Sequence, residues 1–144
     1  MSAVRILVVD DHEMVRSRLC SLLRSRPEFE VVCEASDGLQ AVEKAQALQP
    51  GVVVLDISMP VMSGIEAVPK IRQVAPDAQI LFVSQHNSLS VVRTALSIGA
   101  RGYIVKSDAS ADLVDAVLAV SQGMEFVSRK IVGGSSNSPI PASF

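Results

Sequence analysis

Short apolar runs alternate five times with longer amphipathic segments along the chain. The apolar runs are of strand length and rich in β-branched residues, and they read VRILVV, EFEVVCEA, VVVLD, AQILFVS and GYIVK. The segments between them, such as MVRSRLCSLLRS and LQAVEKAQAL, carry apolar residues three or four positions apart and end at Pro or Gly. The pattern predicts five strands, each followed by a helix.

The order of these elements predicts the fold. Strands that alternate with helices through short connections run parallel, with right-handed crossovers. The central strands are apolar almost throughout, as expected for a sheet covered on both faces. We therefore expect a doubly wound α/β fold: a five-stranded parallel sheet of flavodoxin-like order 2-1-3-4-5 with helices on both faces. The functional site of such a fold lies at the carboxyl ends of the strands.

One residue disagrees with the predicted third helix. Pro69 lies within the segment GIEAVPKIRQ, where it removes a helical N–H and crowds the carbonyl of Ile65. We expect this helix either to bend or to begin late, near Val68.

Composition narrows the class of protein. The chain has 144 residues, the size of one domain, and a net charge of −2 without a block of Lys or Arg, which argues against direct nucleic-acid binding by this chain. No apolar run approaches the roughly 20 residues that cross a bilayer, and the N-terminus does not resemble a secretory signal. Cys20 and Cys33 lie in apolar segments without metal-ligand spacing, so we expect two buried free thiols in a cytoplasmic protein.

Polar residues stand where four of the predicted strands end: Asp10 and Asp11, Asp56, Ser84 and Lys106. Each has an ordinary explanation alone, since Asp10 or Asp11 would serve as a helix cap. Together they place three carboxylates at one edge, where they repel one another unless a cation is bound. Lys106 supplies one positive charge, and Mg²⁺, which prefers oxygen ligands, would balance the rest.

This set of groups suits phosphoryl transfer to a carboxylate. An aspartate can act as a nucleophile, and a metal ion with a Lys neutralises the transferring oxygens. Asp56 follows a buried strand and is the better nucleophile, whereas the adjacent Asp10 and Asp11 suit metal binding. Asp11 would bind directly, and Asp10 directly or through water.

At this point the sequence resembles a known family, the receiver domains of two-component response regulators. The resemblance runs from about Val4 to Gly123 and rests on the acidic pair, on DISMPVMSGIEAV around Asp56, on Ser84 and on GARGYIVKSDAS with Lys106. The segments GARGYIVKS and LVDAVLAVSQG are closest to the subgroup joined to a LuxR-type helix-turn-helix.

The resemblance implies a role for each position. Asp56 accepts a phosphoryl group from a histidine kinase or a small-molecule donor. Mg²⁺ is bound by Asp11, Asp56 and the backbone carbonyl of Ser58, with Asp10 helping through water. The protein is then a phosphoacceptor that catalyses its own phosphorylation and dephosphorylation, and not an enzyme acting on a separate substrate.

It also implies a switch. Ser84 swings toward the phosphoryl group, Lys106 pairs with that group, and Tyr103 turns inward when Ser84 moves. The surface of helix four, strand five and helix five then changes, with homodimerisation on phosphorylation as a further expectation.

Two further positions tune the phosphoryl lifetime. Ser58 and His86 border the path of the hydrolytic water in this family, although His86 is equally well explained as an exposed loop residue. His12 is interpreted as a residue of the first helical turn.

The predicted domain organisation is a receiver domain at 1–124 and a linker or flexible tail at 125–144, without an output domain. The tail is rich in Ser and Pro after two Gly. The expected function is a phosphorylation switch, with control of transcription by an output missing from this chain. A stand-alone or degenerate receiver acting as a protein-interaction module is the alternative.

Two other classes share features but fit less well. A flavodoxin-like cofactor module needs a phosphate loop rich in hydroxyl and amide groups where the chain has Asp10 and Asp11, which would repel a phosphate unless a metal is present. A haloacid-dehalogenase-type phosphatase places its nucleophile on the first strand in an Asp-x-Asp pattern, whereas here the isolated Asp56 ends the third strand.

Overall fold

A computed structural model describes residues 3–129 and 131. Within these residues a β-α alternation holds from the first strand to the fifth helix, and a short strand follows. The strands are β1 (Val4–Val9), β2 (Phe29–Ala35), β3 (Val52–Leu55), β4 (Gln79–Ser84), β5 (Gly102–Val105) and β6 (Phe126–Val127). The helices are α1 (Glu13–Arg24), α2 (Gly38–Leu48), α3 (Gly64–Val74), α4 (Leu89–Ser97) and α5 (Ala109–Ser121), with a 3-10 turn at Lys106–Asp108 before α5.

The strands form one parallel sheet of order β2-β1-β3-β4-β5-β6. The chain moves from β1 outward to β2 and then returns to the other side of β1 with β3, so the strand order reverses beside β1. A crevice opens at the carboxyl ends of the strands where this reversal occurs. The prediction of a flavodoxin-like α/β fold is confirmed, but the predicted number of strands is wrong: the sheet has six within the described residues.

The additional strand, β6, lies in the range 125–144 that the sequence interpretation assigned to a linker or tail. Phe126 and Val127 pair in parallel with Gly102 and Tyr103 of β5. The backbone N–H of Ser128 donates to the carbonyl of Tyr103 at 2.9 Å and extends the pairing. Two residues are too few to give a strand period, which is why the sequence pattern did not reveal β6. Residues 130 and 132–144 of that range lie outside the described part of the chain.

Alternating side chains of the sheet divide the core in two. Residues on one face, among them Leu7, Val53 and Phe82, pack with the buried sides of α2, α3 and α4. Their neighbours on the other face, among them Val8 and Leu81, pack with α1 and α5. Because both faces are covered, β3 and β5 are buried along their whole length, and β1 and β4 are buried except at their first residues, as their apolar sequences predicted.

Of the two alternatives predicted for helix α3, a bend or a late start near Val68, the late start is wrong. The helix begins at Gly64, and Ser63 and Glu66 form a capping box in which each side chain accepts the other's backbone N–H. Pro69 lies on the exposed side within the helix, and the element continues through it to Val74. The spacing Ser-x-x-Glu was therefore a stronger signal for the helix start than Pro69.

The prediction of two buried thiols is half wrong. Cys20 on α1 is 1% exposed, whereas Cys33 on β2 is only partly buried. Cys33 lies on a strand at the edge of the sheet, where helices cover the face less completely than at the centre. Both cysteines are free.

None of the helices in residues 3–129 is long and apolar enough to cross a membrane.

Candidate functional site

The backbone fixes two aspartates immediately beyond the ends of neighbouring strands. Asp10 follows β1 and Asp56 follows β3, and each continues the hydrogen bonding of the sheet by one residue. The N–H of Asp10 donates to the carbonyl of Ala35 and that of Asp56 to the carbonyl of Val9, both at 3.1 Å. Both carboxylates therefore start from rigid positions at the same edge.

Asp56 is nearly enclosed, with 4% of its surface exposed. Its Oδ1 accepts a hydrogen bond from the backbone N–H of Ile57 at 2.8 Å, and its Oδ2 accepts one from Lys106 Nζ at 3.1 Å. The start of α3 packs directly against this segment, because a Cβ added to Gly64 would lie 2.0 Å from the carbonyl oxygen of Asp56. Glycine at position 64 thus lets the helix approach the acidic residue.

Asp10 is fully buried and shares the same lysine. Its Oδ2 lies 2.9 Å from Lys106 Nζ, and its Oδ1 accepts the backbone N–H of His12 at 2.9 Å. Arg16 of α1 donates from Nη1 to the backbone carbonyl of Asp10 at 2.8 Å. Lys106 therefore links two buried carboxylates that belong to different strands.

The electrostatics of the site leave negative charge under-compensated. Burial raises the pKa of Asp56 above its usual value; Lys106 acts in the opposite direction, and the neighbouring Asp10 raises it further. Burial alone would lower the pKa of Lys106, but hydrogen bonds and charge from Asp10 and Asp56 outweigh it, and the pKa of Lys106 is raised. Lys106 thus stays protonated, while Asp56 retains a need for further positive charge.

The residues fit a divalent cation. Asp10, Asp11, His12 and Asp56 each offer a ligand atom, and these atoms lie within 4.8 Å of one another. The oxygen Asp11 Oδ1 is buried and accepts no hydrogen bond within the described part of the chain, whereas Asp10 Oδ2 is paired with Lys106 Nζ at 2.9 Å. Buried carboxylate oxygens without a donor are the ligands that Mg²⁺ prefers. The acidic cluster expected from sequence is present; the role of the Ser58 carbonyl stays a prediction.

A second group of polar residues centres on His86, after β4. Ser84 is fully buried, and its Oγ accepts the backbone N–H of His86 at 3.1 Å. The hydroxyl of Tyr103 donates to the carbonyl of His86 at 2.8 Å, and Ser58 Oγ lies 3.0 Å from His86 Nε2. Burial raises the pKa of Tyr103, whose ring is enclosed. His86 therefore connects the predicted switch residues to the loop after Asp56.

The structure brings together Asp10, Asp11, Asp56 and Lys106, and it links Ser84, Tyr103, Ser58 and His86 through a separate set of hydrogen bonds.

Sequence reasoning missed three residues of the site. His12 was interpreted as part of the first helical turn, but it precedes α1, and its Nδ1 lies 3.2 Å from Asp11 Oδ1. Its position directly after the acidic pair was the available signal. Gly64 directly follows the helix cap Ser63, and this position was the available signal in the sequence. The contact of Arg16 with the carbonyl of Asp10 could not be predicted from the sequence pattern.

Comparison with known proteins gives a consistent result. The family described as response regulator receiver domain matches residues 6–118. The transcriptional regulatory protein DegU of Brevibacillus brevis is 37% identical over 128 residues, which cover 89% of this chain and 54% of DegU. The chain thus spans about half the length of this curated relative.

Solved structures agree. A two-component response regulator of the LuxR family from Aurantimonas sp. SI85-9A1 is 38% identical with a TM-score of 0.82, covering 87% of this chain and 89% of that one. The signal receiver domain of the putative response regulator NarL from Mycobacterium tuberculosis is 33% identical with a TM-score of 0.81, covering 85% and 99%. The chain belongs to the receiver domain family of two-component response regulators.

Proposed function

We propose that Asp56 accepts a phosphoryl group from a histidine kinase in a Mg²⁺-dependent reaction. One observation carries the proposal: the buried Asp56 carboxylate, hydrogen-bonded to Lys106, lies within an acidic cluster in which the buried oxygen Asp11 Oδ1 accepts no hydrogen bond from the described residues. A cap or a turn residue has no need of such surroundings. A nucleophile needs these surroundings, because its phosphorylated product carries more negative charge.

The reaction forms one bond and breaks another. A carboxylate oxygen of Asp56 attacks the phosphorus of a phosphohistidine, the P–N bond breaks, and the imidazole of the kinase leaves. Lys106, already 3.1 Å from Asp56 Oδ2, is close enough to pair with a phosphoryl oxygen. The backbone N–H of Ile57 holds the other carboxylate oxygen and orients the group.

Asp11 and Asp56, with the carbonyl of Ser58, would bind Mg²⁺, and Asp10 would contribute through water. The bound ion supplies positive charge that neutralises the transferring oxygens. The protein's own part is to hold the carboxylates close together in spite of their repulsion, which the rigid strand ends and Lys106 accomplish.

We propose that the acyl phosphate is also lost at this site. Water attacks the phosphorus, the P–O bond to Asp56 breaks, and the carboxylate is restored with release of inorganic phosphate. Ser58 and His86, whose side chains lie 3.0 Å apart and are not buried, tune access of this water. The protein then catalyses reactions of its own side chain and serves as a regulator.

The switch uses Ser84 and Tyr103. When the Ser84 hydroxyl moves from the N–H of His86 to a phosphoryl oxygen, the loop after β4 loses this hydrogen bond. The same loop accepts the hydrogen bond of the Tyr103 hydroxyl, at the carbonyl of His86. Phosphorylation would thereby change the surface formed by α4, β5 and α5. We extend this to homodimerisation, which gel filtration with and without beryllofluoride tests.

The proposed transcriptional output is inferred from the curated relatives of this chain. DegU is named as a transcriptional regulatory protein, and this chain matches 54% of it. We propose that the receiver at residues 1–124 controls a transcriptional output through the segment that follows, which the sequence interpretation assigned to a linker at 125–144. A receiver that acts by binding other proteins is the alternative.

The test is intact mass spectrometry after incubation with phosphoramidate. We expect one phosphoryl group to be added with Mg²⁺, little with EDTA, and none in Asp56→Asn. The control variant Asp77→Asn changes an exposed aspartate before β4 and should react like the wild type. An adduct that forms equally in EDTA, or that persists in Asp56→Asn, would contradict the proposal. Absence of an adduct with every donor would favour the interaction module.

A further inference from the structure

We propose that His12 is an additional ligand of the metal site and that it favours later first-row transition metals such as Co²⁺ over Mg²⁺. The inference rests on the proposed function, since it concerns the same cation. It goes beyond that function in naming a nitrogen ligand on α1's N-terminal side and the class of metal that such a ligand selects.

The distances fit one coordination shell. Nδ1 of His12 lies 3.2 Å from Asp11 Oδ1 and 3.4 Å from Asp10 Oδ1. An octahedral ion with bonds of about 2.1 Å holds adjacent ligand atoms about 3 Å apart. One ligand atom from each of the four residues, Asp56 included, lies within 4.8 Å of the others. This distance is close to the diameter of such a coordination shell.

The backbone of His12 is fixed where the ligand is needed. Its N–H donates to Asp10 Oδ1 at 2.9 Å, and its carbonyl accepts the N–H of Arg16 at 2.9 Å. His12 stands just before α1 in an extended conformation, and its side chain is 67% exposed. Since the ring is not packed in the core, a small rotation about its side-chain bonds can adjust Nδ1 to a metal.

The hydrogen bonding near the ring also points to a cation. Asp11 Oδ1 is buried and accepts no hydrogen bond within residues 3–129, although the His12 ring nitrogen is 3.2 Å away. Because the ring nitrogen and Asp11 Oδ1 lie 3.2 Å apart without a hydrogen bond between them, both are available to one cation. An imidazolium that merely pairs with the carboxylates is the competing explanation, and the experiment distinguishes the two.

A nitrogen ligand changes metal preference. Imidazole suits borderline first-row metals, whereas Mg²⁺ prefers oxygen ligands and retains its waters. We therefore expect His12 to raise affinity for Co²⁺ much more than for Mg²⁺, with a smaller effect for Mn²⁺, which serves as a spectroscopic probe. The behaviour of a receiver with this ligand would then depend on which metal its acidic cluster binds.

The decisive probe is Mn²⁺ alone, bound to the full chain without a histidine tag at about pH 8, because ligation requires neutral imidazole. Pulsed electron paramagnetic resonance should detect coupling to a directly bound imidazole nitrogen. The chain has two histidines, so the source can be assigned. His12→Gln should lose the coupling, and the matched variant His86→Gln should retain it.

A Mn²⁺ signal without nitrogen coupling, or coupling that persists in His12→Gln, would overturn the proposal. In titrations His12→Gln should weaken Co²⁺ binding by about tenfold and Mg²⁺ binding by far less; an equal loss for both metals would also overturn it. Thermal unfolding in EDTA verifies that each variant is folded. Failure of the proposed function is distinct: the wild type would then gain no phosphoryl group, whatever the nitrogen coupling shows.

Discussion

Lys106 Nζ lies 3.1 Å from Asp56 Oδ2, although 50 positions separate the two residues in the chain. The same ammonium lies 2.9 Å from Asp10 Oδ2. One lysine at the end of β5 therefore holds the ends of β1 and β3 together electrostatically. Because both carboxylates are buried, the loss of this charge has consequences for stability as well as for phosphoryl transfer.

Replacing Lys106 should destabilise the fold. Lys106→Met leaves Asp10 and Asp56 facing each other without a cation, and we expect the free energy of unfolding to fall by about 2 kcal/mol, less than for a fully enclosed pair because Lys106 is 20% exposed. Urea unfolding in EDTA measures this, and Mg²⁺ should recover part of the loss. Lys70→Met, an exposed change on α3, serves as the control; an equal loss in that variant would refute the explanation.

The Asp56 carboxylate should itself limit stability at neutral pH. Burial raises its pKa in the folded state, so ionisation favours the unfolded chain as pH rises from the usual carboxyl value through the folded one. Asp56→Asn removes this penalty. Its free energy of unfolding in EDTA should exceed that of the wild type at about pH 8, and the two should converge toward about pH 4. A gain that is larger in acid would contradict the sign of the shift.

Gly64 should tolerate no side chain. The Cβ of Gly64→Ala would lie 2.0 Å from the carbonyl oxygen of Asp56 and 3.0 Å from the ring of Phe82. Either α3 or the Asp56 segment must move, at a cost of about 1–3 kcal/mol. Phosphorylation by phosphoramidate should also slow. In Gly51→Ala the nearest atom is 3.6 Å from the new Cβ, so wild-type stability is expected there; unchanged behaviour of Gly64→Ala would disprove the contact.

The two thiols should differ in reactivity. Burial, with a smaller contribution from Glu34, raises the pKa of Cys20 to about 11, and the thiolate is the reactive form. At about pH 8 a disulfide reagent should label one cysteine of the folded chain quickly, the partly buried Cys33, and both in urea. Raising the pH toward 11 should accelerate Cys20. If Cys33→Ser retains the fast phase, the assignment is wrong.

Much of the fold was predictable because strand and helix periods are local properties of the sequence. The apolar runs at β1, β3 and β4 matched buried strands, and the parallel arrangement followed from the alternation. The short strand β6 was not predictable, since Phe126 and Val127 are ordered by pairing with β5 and not by any local pattern. The late start, one of the two alternatives for α3, was wrong because Pro69 received more weight than the Ser63–Glu66 capping box.

The candidate site was predictable as a set of residues but not as a geometry. Strand ends place Asp10, Asp56 and Lys106 at one edge, and the structure joins them within 3.1 Å. The remaining geometry of the site depends on tertiary contacts that the sequence pattern does not reveal. The ring of His12 turns toward the acidic pair, and His86 connects to Ser58 across two loops.

The most direct measurement of the central claim identifies the phosphorylated residue chemically. After reaction with phosphoramidate and Mg²⁺, borohydride converts an aspartyl phosphate to homoserine, and peptide mass spectrometry locates the change. We predict homoserine at position 56 and unmodified aspartate at positions 10 and 11. Homoserine at either member of the acidic pair, or a phosphoryl group on a serine or histidine instead, would contradict the claim that Asp56 is the acceptor.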